Sequence, residues 1–359
     1  MAEAVEQAIE SARPSILVDG QAQPELARRL LRLVIAERAD GLHRCEALFS
    51  AWGETQARTD FLYFDRRLLE FGKPLQFKLG TDPIFSGAIM ALEGVFPSSA
   101  ERAPPQLNVL AEDRLQALRM TRRTRSFEDI SDSDLIQRIA GNHSLQVQGQ
   151  VQGPTHKLLA QVNQSDLAFL RERARAIGAD LWIEDGALHV ESRAGRNAQA
   201  VELAYKGRLR EFTVTADLAG QSTAVVASGW DVSAKEAIQF EADESAIRGE
   251  LNGGDSGPAI LADKFGDRKQ TLAHTVPATR DEAEKTAQAF FRMAARRFVV
   301  GRGVAAPDAR LKAGSVVDLQ GLGPLFSGQY YLSEVRHRFD GSGLRTEFTA
   351  ERAGIGKKA

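Results

Sequence analysis

The sequence contains a single cysteine, Cys45, among 359 residues. One cysteine cannot form an intrachain disulfide, and it cannot build a cysteine-based zinc site, which needs several thiolates. Disulfide-rich frameworks are typical of small secreted domains, whereas a lone cysteine is compatible with a reducing compartment. We therefore expect the chain to fold in the cytoplasm.

Net charge and long apolar runs are also lacking. The 46 Lys and Arg residues nearly balance the 48 Asp and Glu residues, so no overall field attracts the protein to nucleic acid or to anionic lipid. No segment approaches the roughly 20 apolar residues that cross a bilayer, and the N-terminus has no signal-peptide pattern. We expect neither a membrane partner nor a nucleic-acid partner.

No group of residues has the spacing of a catalytic or cofactor site. The segment Gly254-Asp255-Ser256-Gly257-Pro258 resembles the serine motif of chymotrypsin-like proteases, but one glycine is missing and no histidine stands in the required context. Gly301-Arg302-Gly303 lacks the remainder of a phosphate loop or a dinucleotide fingerprint. We interpret the first segment as a flexible loop and the second as a backbone turn. The sequence predicts a protein that is not an enzyme and has no catalytic, cofactor-binding or metal-binding residues.

Histidines and basic clusters are present but scattered. None of the histidines has the i, i+4 spacing of a helical metal pair, and we interpret each as a surface or packing residue. They are His43, His143, His156, His189, His274 and His337. Thr121–Arg125 and the group Arg292, Arg296 and Arg297 are candidate nucleic-acid contacts. A solvated face or a salt-bridged subunit interface is the interpretation we favour, because arginine pairs well with carboxylates.

The N-terminal part has the alternation of β-strands. The chain is long enough for several domains, and residues 15 to 95 alternate apolar and polar side chains in short runs. Leu31, Leu33 and Ile35 are predicted to share one face, followed by an Asp40-Gly41 turn and a second strand. The second strand carries Cys45, Ala47, Phe49 and Ala51 on one face. A further strand pair is predicted at 75–79 and 84–89.

The middle of the sequence changes period and predicts a compact α/β module. Ser133 or Asp132 is the expected cap of a helix over 135–140, and a second helix is expected to begin at Ser165-Asp166 and to end at Gly178. A hairpin follows, with Asp185-Gly186 as its turn. Strands are predicted again at 209–214 and 224–230, then a glycine-rich loop region at 241–267 and an amphipathic helix at 280–297.

The end of the chain repeats its beginning. Asp82-Pro83-Ile84-Phe85-Ser86-Gly87 matches Gly323-Pro324-Leu325-Phe326-Ser327-Gly328, and Glu93 and Glu334 follow at the same distance. Shared turn chemistry can produce such a match by chance. We favour an ancestral duplication that placed two similar barrels in one chain. A ring of such chains presents twice as many similar units as it has subunits, which makes symmetry matching a candidate function.

Several segments along nearly the whole chain resemble the phage late control protein D family. They are 82–93, Asp113-Arg114-Leu115, 121–127, 132–135, 163–170, Gly229-Trp230-Asp231 and 326–331. This resemblance implies a trimeric hub with two tube-like barrels per chain, placed between a hexameric tail tube and a trimeric central spike. VgrG proteins are similar in this region but continue into a further barrel and a needle, so we expect the spike to be a separate protein.

The predicted fold class is mainly β with α+β insertions, with two tube-like antiparallel β-barrels, a small α/β module and a helical insertion. The expected regions are 1–125 for the first barrel, 126–200 for the module, and 201–240 with 310–352 for the second barrel. Residues 241–309 are expected to form a loop-helix insertion in the second barrel, and 353–359 a C-terminal tail.

The sequence thus predicts a structural baseplate hub of a contractile tail or injection system. The expected partners are two further copies of the chain, the tail tube protein, a separate spike protein and other baseplate proteins. We expect it to assemble in the bacterial cytoplasm and then to reside in the tail baseplate. Phe85, Gly87, Phe326 and Gly328 are predicted to be structural residues of the barrels. The alternatives are a tail-associated peptidoglycan hydrolase or a glycan-binding receptor module, although Tyr330-Tyr331 alternate across a strand and present only one ring to either side.

Overall fold

The structure is a computed structural model that describes residues 13–54, 58–98, 103–149, 151–196 and 199–357. Strands dominate it, which confirms the predicted fold class of a mainly β protein with α+β insertions. Among the described residues, the largest sheet contains 13 strands. No described helix is both long enough and apolar enough to cross a membrane.

One half of the large sheet is built from the N-terminal residues, and we call it the first half. Its elements and their immediate neighbours are β1 (Ser15–Val18), β2 (Gln21–Ala22), α1 (Pro24–Arg28), β3 (Leu30–Arg38), β4 (Arg44–Ser50), β5 (Trp52–Glu54), β6 (Thr59–Phe61), β7 (Pro74–Leu79), β8 (Asp82–Val95), β9 (Gln106–Glu112) and α2 (Gln116–Arg119). Along the sheet the order is β3-β4-β9-β8-β7-β1-β2, and β5 and β6 form a separate pair. Inward-facing side chains such as Leu33, Phe49 and Phe77 form its buried core.

The β3–β4 hairpin has the predicted turn and the predicted buried face, except at one residue of β3. Ile35, Ala47 and Phe49 are buried as expected, whereas Leu31 is 41% exposed, so the prediction for Leu31 is wrong. The register shifts by one residue between Leu30 and Arg32. This bulge reverses the alternation and buries Leu30 instead.

The α/β module has its own core of Leu135, Ile139, Leu170 and similar residues. It contains β10 (Arg122–Ser131), α3 (Asp132–Gly141), β11 (Val147–Gln148), β12 (Thr155–Ser165), α4 (Asp166–Ala176), β13 (Ala179–Glu184) and β14 (Ala187–Ser192). The cap of α3 is Ser131, which accepts from the N–H of Asp134, rather than the expected Ser133 or Asp132. Ser131 is the last extended residue, and Asp132 is already helical. Ser165 caps α4 as predicted.

The remaining residues form the second half of the large sheet and an insertion within it. Their elements are β15 (Val201–Ala204), β16 (Leu209–Ala216), β17 (Ala224–Asp231), β18 (Glu236–Ala242), a 3-10 helix (Glu244–Glu250), β19 (Asp255–Ser256), α5 (Gly257–Phe265), β20 (Lys269–Leu272), α6 (Arg280–Ala295), β21 (Val299–Ala305), β22 (Val316–Gln320), α7 (Gly323–Phe326), β23 (Gly328–Asp340), β24 (Gly343–Arg352) and β25 (Gly354–Ile355). The second half has the order β16-β21-β24-β23-β22-β15.

The insertion lies between β16 and β21 and differs from its expected span of 241–309. Strands β17 and β18, expected in the second barrel, form a separate three-stranded sheet with β20. Conversely β21, expected in the insertion, pairs with both β16 and β24 in the large sheet. Ala224–Ala227 are buried on both faces by this sheet and its neighbours, so their run of apolar residues does not distinguish the two sheets. The region from Gly253 to Gly257 is not a loop throughout, because it contains β19 and the start of α5.

A shared strand joins the two halves. The first residues of β23 pair with β22, and Glu334 to Phe339 pair with β3. We call this pairing the internal junction. It makes the two halves one continuous sheet.

The two halves repeat the same strand plan. Strands β1, β3, β4, β7, β8 and β9 correspond to β15, β16, β21, β22, β23 and β24, in the same order along the chain and along the sheet. The residue row Arg32, Leu48, Asn108, Glu93 across β3, β4, β9 and β8 matches Thr213, Arg302, Thr349, Glu334 across β16, β21, β24 and β23. Glu93 and Glu334, paired in the sequence repeat, therefore occupy equivalent rows.

The two halves also differ in detail. The pairing of β1 with β7 is antiparallel, whereas that of β15 with β22 is parallel. Within the repeated motif, Asp82–Gly87 lies in strand β8, but Gly323–Phe326 is the short helix α7. The motif matches in position rather than in local conformation.

Candidate assembly surfaces

The α/β module is fixed to the first half by two arginines of α4. Arg171 donates to the carbonyl oxygens of Asp40 and Gly41 at 2.7 and 2.6 Å. Arg175 pairs with the Asp40 carboxylate at 2.7 Å. Burial opposes the charge on Asp40, but these arginines and Arg38 outweigh it and lower its pKa. The β3–β4 turn is therefore held in place by the module.

A second anchor joins the module to the second half. Arg193 pairs with Glu351 at 2.9 Å, and its guanidinium lies 4.1 Å from the ring centroid of Tyr331. The buried Tyr331 hydroxyl donates to Asp180. Burial, together with the Asp180 charge, raises the pKa of Tyr331 well above its usual value. Arg196 stacks on Trp182, with 3.5 Å between the guanidinium carbon and the ring centroid.

A third anchor, which we call the His156 cluster, joins the module to the insertion. His156 on β12 lies 2.5 Å from Glu282 on α6 through Nδ1, and 3.0 Å from Asp132 through Nε2. Arg173 pairs with Asp132 at 2.7 Å. Burial disfavours charge on His156, but hydrogen bonds to Asp132 and Glu282 prevail and raise its pKa. The cluster therefore favours a protonated histidine between two carboxylates.

A cleft of about 940 Å³ lies where the first half, the module and the second half meet. Its lining includes Asp82–Ser86 of β8, the β13–β14 turn and Ala309–Ser315. Lys312 bridges to Glu184 at 3.2 Å, and buried Glu37 accepts from the N–H of Ala313 at 3.1 Å. The first contact joins the module to the second half, and the second joins the two halves. The cleft therefore lies at the boundary between these three parts of the fold.

The clearest surface feature is a group of four exposed aromatic side chains, which we call the aromatic patch. It consists of Trp52 on β5, Phe61 on β6, Phe64 beyond it and Phe96 after β8. Ring centroids are 5.0 Å apart for Trp52 and Phe61, 5.2 Å for Phe61 and Phe64, and 5.9 Å for Phe64 and Phe96. Contiguous exposed apolar groups of this kind mark interaction sites. Sequence reasoning missed the patch, and its signal was only the three aromatics around the β5–β6 hairpin.

Two strand edges accompany this patch. Beyond Ile89, β8 pairs with β9 on one side, and no described strand pairs with its other side. Strand β16 pairs with β21, and its remaining side has only a bridge from Tyr205 to Leu209 among the described residues. An open edge presents backbone donors and acceptors to another chain.

The predicted structural residues have structural environments. Phe85 is buried, and a side chain at Gly87 would collide with the carbonyl of Glu112. The carbonyl of half-buried Phe326 accepts from the Tyr330 hydroxyl at 2.8 Å, and Gly328 has φ of +123°. Tyr330 and Tyr331 point to opposite faces, as predicted, and both are buried.

The other residues singled out from the sequence do not converge on one site. Ser256 is buried, caps α5 through the N–H of Ala259 at 3.1 Å and donates to Glu244. Arg123 and Arg125 pair with buried Asp166, and Arg296 pairs with Glu250. The histidines are dispersed over different elements: His43 near Asp113, His143 with Asp166, His156 in its cluster, His189 stacked on Trp182, His274 against Phe290 and His337 in the internal junction. In the part of the chain that the structure describes, no three His, Cys, Asp or Glu side chains are grouped to hold a metal ion.

Comparisons with known proteins give a consistent fold. A model of the family described as the Alg8 N-terminal domain matches residues 9–340. The structure is similar to the 43 kDa tail protein of prophage MuSo2 from Shewanella oneidensis, with a TM-score of 0.68 and 10% identity over 95% of this chain and 98% of that chain. It is also similar to the tail protein from Neisseria meningitidis MC58, with a TM-score of 0.66 and 12% identity over 96% and 97% of the two chains.

A third similar structure is the E. coli c3393 protein, a component of the type VI secretion system. Its TM-score is 0.55 at 13% identity, over 92% of this chain and 76% of that chain. Comparison with curated proteins gave no match. The solved structures share the fold of this chain.

Proposed function

The chain belongs to the Alg8 N-terminal domain family, and from its fold, which tail and secretion-system proteins share, we propose that it is a structural hub of a phage tail or related injection machine. In this proposal three copies form a ring that joins a hexameric tail tube to a trimeric central spike. The resemblance to the phage late control protein D family supports the same role. The protein assembles in the cytoplasm and then resides in the tail baseplate with other baseplate proteins.

The observation that carries the proposal is the duplicated strand plan. Six strands recur in the same order in both halves, with the same residue rows across four of them. A ring of three such chains presents six similar units on one face while keeping threefold symmetry overall. Such a ring is suited to contact a sixfold partner on one side and a threefold partner on the other.

The similar structures support this proposal through their fold. Two of them are described as tail proteins. The E. coli protein is described as a secretion-system component with structural similarity to the T4 tail proteins gp27 and gp5. Each of the three matches covers more than 90% of this chain. The whole fold is therefore shared, rather than one domain of it.

A hub of this type performs no bond chemistry. Its open strand edges and apolar patches supply binding energy, because a ring satisfies backbone groups that a single chain leaves open. The anchors at Asp40, Glu351 and Glu282 fix the module and the insertion relative to both halves. The assembled ring therefore has one defined shape.

Light scattering across a concentration series tests the proposal, followed by electron microscopy of the assembled species. We expect a mass of three chains and images with six similar lobes around the axis. A particle of two or four chains, or a monomer at every concentration with and without the tail tube protein, overturns the trimeric adaptor. Zymography on peptidoglycan serves as the control, and cell-wall cleavage by the purified chain contradicts the structural role.

A further inference from the structure

We propose that the aromatic patch and the open edge of β8 bind a second copy of this chain along its β16 edge, with Phe96 of one copy opposite Ala216 of the next. The number of copies in the ring rests on the proposed function, whereas the interface itself rests on the geometry of the two halves. The internal junction supplies the template.

In the internal junction, β3 and β23 bury each other. His337 lies opposite Ile35, and Phe339 lies opposite Leu33. These side chains are fully or almost fully buried. The first half therefore offers its β3 edge to the second part of β23, and the contact is part of the core.

The same position on β8 is uncovered. The equivalence of β8 with β23, fixed by the rows of Glu93 and Glu334, places Phe96 at the position of His337. His337 is 0% exposed, whereas Phe96 is 64% exposed. Phe96 is thus an exposed apolar side chain, whereas its counterpart His337 is buried in the internal junction. The three other aromatic rings of the patch lie beside Phe96.

The complementary position on β16 is also uncovered. The equivalence of β3 with β16 places Val214 and Ala216 at the positions of Leu33 and Ile35. Leu33 and Ile35 are completely buried, but Val214 and Ala216 are only half-buried. Each chain therefore carries both sides of a junction that it cannot form with itself, one on β16 at the end of the sheet and one on the part of β8 beyond Ile89.

These two surfaces fit a second copy better than another occupant. They are the counterparts of two surfaces that already bind each other within the chain, so their backbone spacing and direction are matched. Because the two surfaces of one chain differ, the contact is head-to-tail, and it closes into a ring when the rotation per copy divides a full turn. The aromatic patch supplies the buried anchor that stable interfaces use.

Disulfide trapping tests the pairing directly. Phe96→Cys and Ala216→Cys are made as separate variants, mixed and oxidised, and the native Cys45 is buried in the core. We expect a covalent dimer of the two chains in the mixture. The control mixture combines Phe96→Cys with Phe265→Cys, an exposed residue of α5 that is not part of the β16 edge, and we expect no dimer there.

A second experiment measures assembly. Phe96→Ser and Trp52→Ser are compared with Phe265→Ser, an exposed aromatic outside the patch. We expect each patch variant to raise the concentration for half-assembly at least about tenfold, with unchanged circular dichroism, and the control to match the native protein.

The outcomes separate this interface from the proposed function. A native trimer whose mass is insensitive to Phe96→Ser, with no specific disulfide, overturns the interface and leaves the adaptor intact. Specific trapping in a ring of another size supports the interface and overturns the trimeric adaptor. A native monomer that binds peptidoglycan fragments and loses them in Trp52→Ser overturns the interface in favour of a glycan site.

Discussion

The two halves of the large sheet share a strand plan but fill it differently. In the first half, Phe49 on β4 lies opposite Leu107 on β9, whereas in the second half Gly303 on β21 lies opposite Phe348 on β24. These two pairs occupy equivalent rows. Each contains one aromatic ring, but the ring lies on β4 in the first half and on β24, the equivalent of β9, in the second. The comparison shows that the duplicated units preserve backbone pairing and one aromatic ring in this pair, and not the identity of individual residues.

The halves also differ in the connection between two of their equivalent strands. A short turn joins β3 to β4, whereas the equivalent connection between β16 and β21 contains the whole insertion. Hairpin connections lie at the surface and tolerate additions, because the ladder on either side is complete without them. The insertion is then fixed from outside the sheet, through the His156 cluster of the module.

The largest effect should come from moving the aromatic ring back to the first-half arrangement. A side chain at Gly303 collides with the ring of Phe348. We expect Gly303→Phe to lower the free energy of unfolding by about 3 kcal/mol or more, since a filled core does not accept added volume. Urea unfolding measures the change.

The double variant Gly303→Phe with Phe348→Gly moves the ring to β21, the strand equivalent to β4, without changing the volume of the pair, and it should recover most of that loss. Gly341→Ala is the control, because a Cβ there has no neighbour within 4 Å, and we expect a change within about 0.5 kcal/mol. A single Gly303→Phe variant of native stability would contradict the collision with the ring of Phe348.

The next effect concerns the His156 cluster, which fixes the insertion found only in the second half. His156→Gln should lower the free energy of unfolding by about 1–3 kcal/mol, because it leaves buried carboxylates without their cation. Because the folded-state pKa of His156 is raised, its contribution is complete below the usual value of about 6.5 and is lost as pH rises through the folded pKa. Burial opposes charge on Asp132 and Glu282 but their hydrogen bonds prevail and lower the pKa of both, so their contribution is lost only in strong acid.

We therefore expect the difference between native protein and His156→Gln to be largest at mildly acidic pH and smaller in alkaline solution. Urea unfolding at a series of pH values measures it. His274→Gln, at an exposed histidine against Phe290, is the matched control, and we expect it to change the free energy of unfolding by less than about 0.5 kcal/mol. A constant difference across the series would contradict a protonated His156 in the cluster.

A smaller effect is expected at the start of α5 in the insertion. Ser256→Ala removes the oxygen that accepts from the Ala259 N–H, which should lower stability by about 1 kcal/mol. Ser256→Thr keeps the cap and should lose less. If thermal unfolding of Ser256→Ala matched that of the native protein, the segment would behave as the flexible loop predicted from sequence.

The smallest effect tests the β-bulge that the β3–β4 pair and the equivalent β16–β21 pair share. Register shifts follow Leu30 in β3 and Leu209 in β16. Leu31→Ala should change the free energy of unfolding by less than about 0.5 kcal/mol, whereas Leu33→Ala should lower it by about 2–5 kcal/mol. Equal losses of stability at both positions in urea unfolding would show that Leu31 and Leu33 share one buried face, without the bulge.

Local turn and cap chemistry made part of this fold predictable. The Asp185-Gly186 hairpin and the Ser165 cap were predicted because the residues that form them are adjacent in sequence. The repeat of Glu93 and Glu334 was visible because both follow a segment with the residue pattern Pro-apolar-Phe-Ser-Gly, although the two segments differ in conformation. Phe85 and Gly87 were predicted as structural residues for the same reason.

Partner choice was not predictable in the same way. Ala224–Ala227 and Val299–Val300 are both short apolar runs, and only pairing with distant strands assigns the first to the insertion and the second to the large sheet. The aromatic patch was missed because Trp52, Phe61 and Phe96 are typical core residues by type. Their exposure depends on where β5 and β6 fold outside the large sheet.

The internal junction also sets the order in which the molecule is completed. It pairs the third strand of the chain with the second-to-last long strand, so β3 has no partner on that side until the ribosome has made β23. Contacts so distant in sequence form late, because loop closure must precede them. During synthesis the β3 edge is therefore unpaired on that side until β23 has emerged. The same strand that unites the two halves makes completion of the first half depend on residues made about 300 positions later.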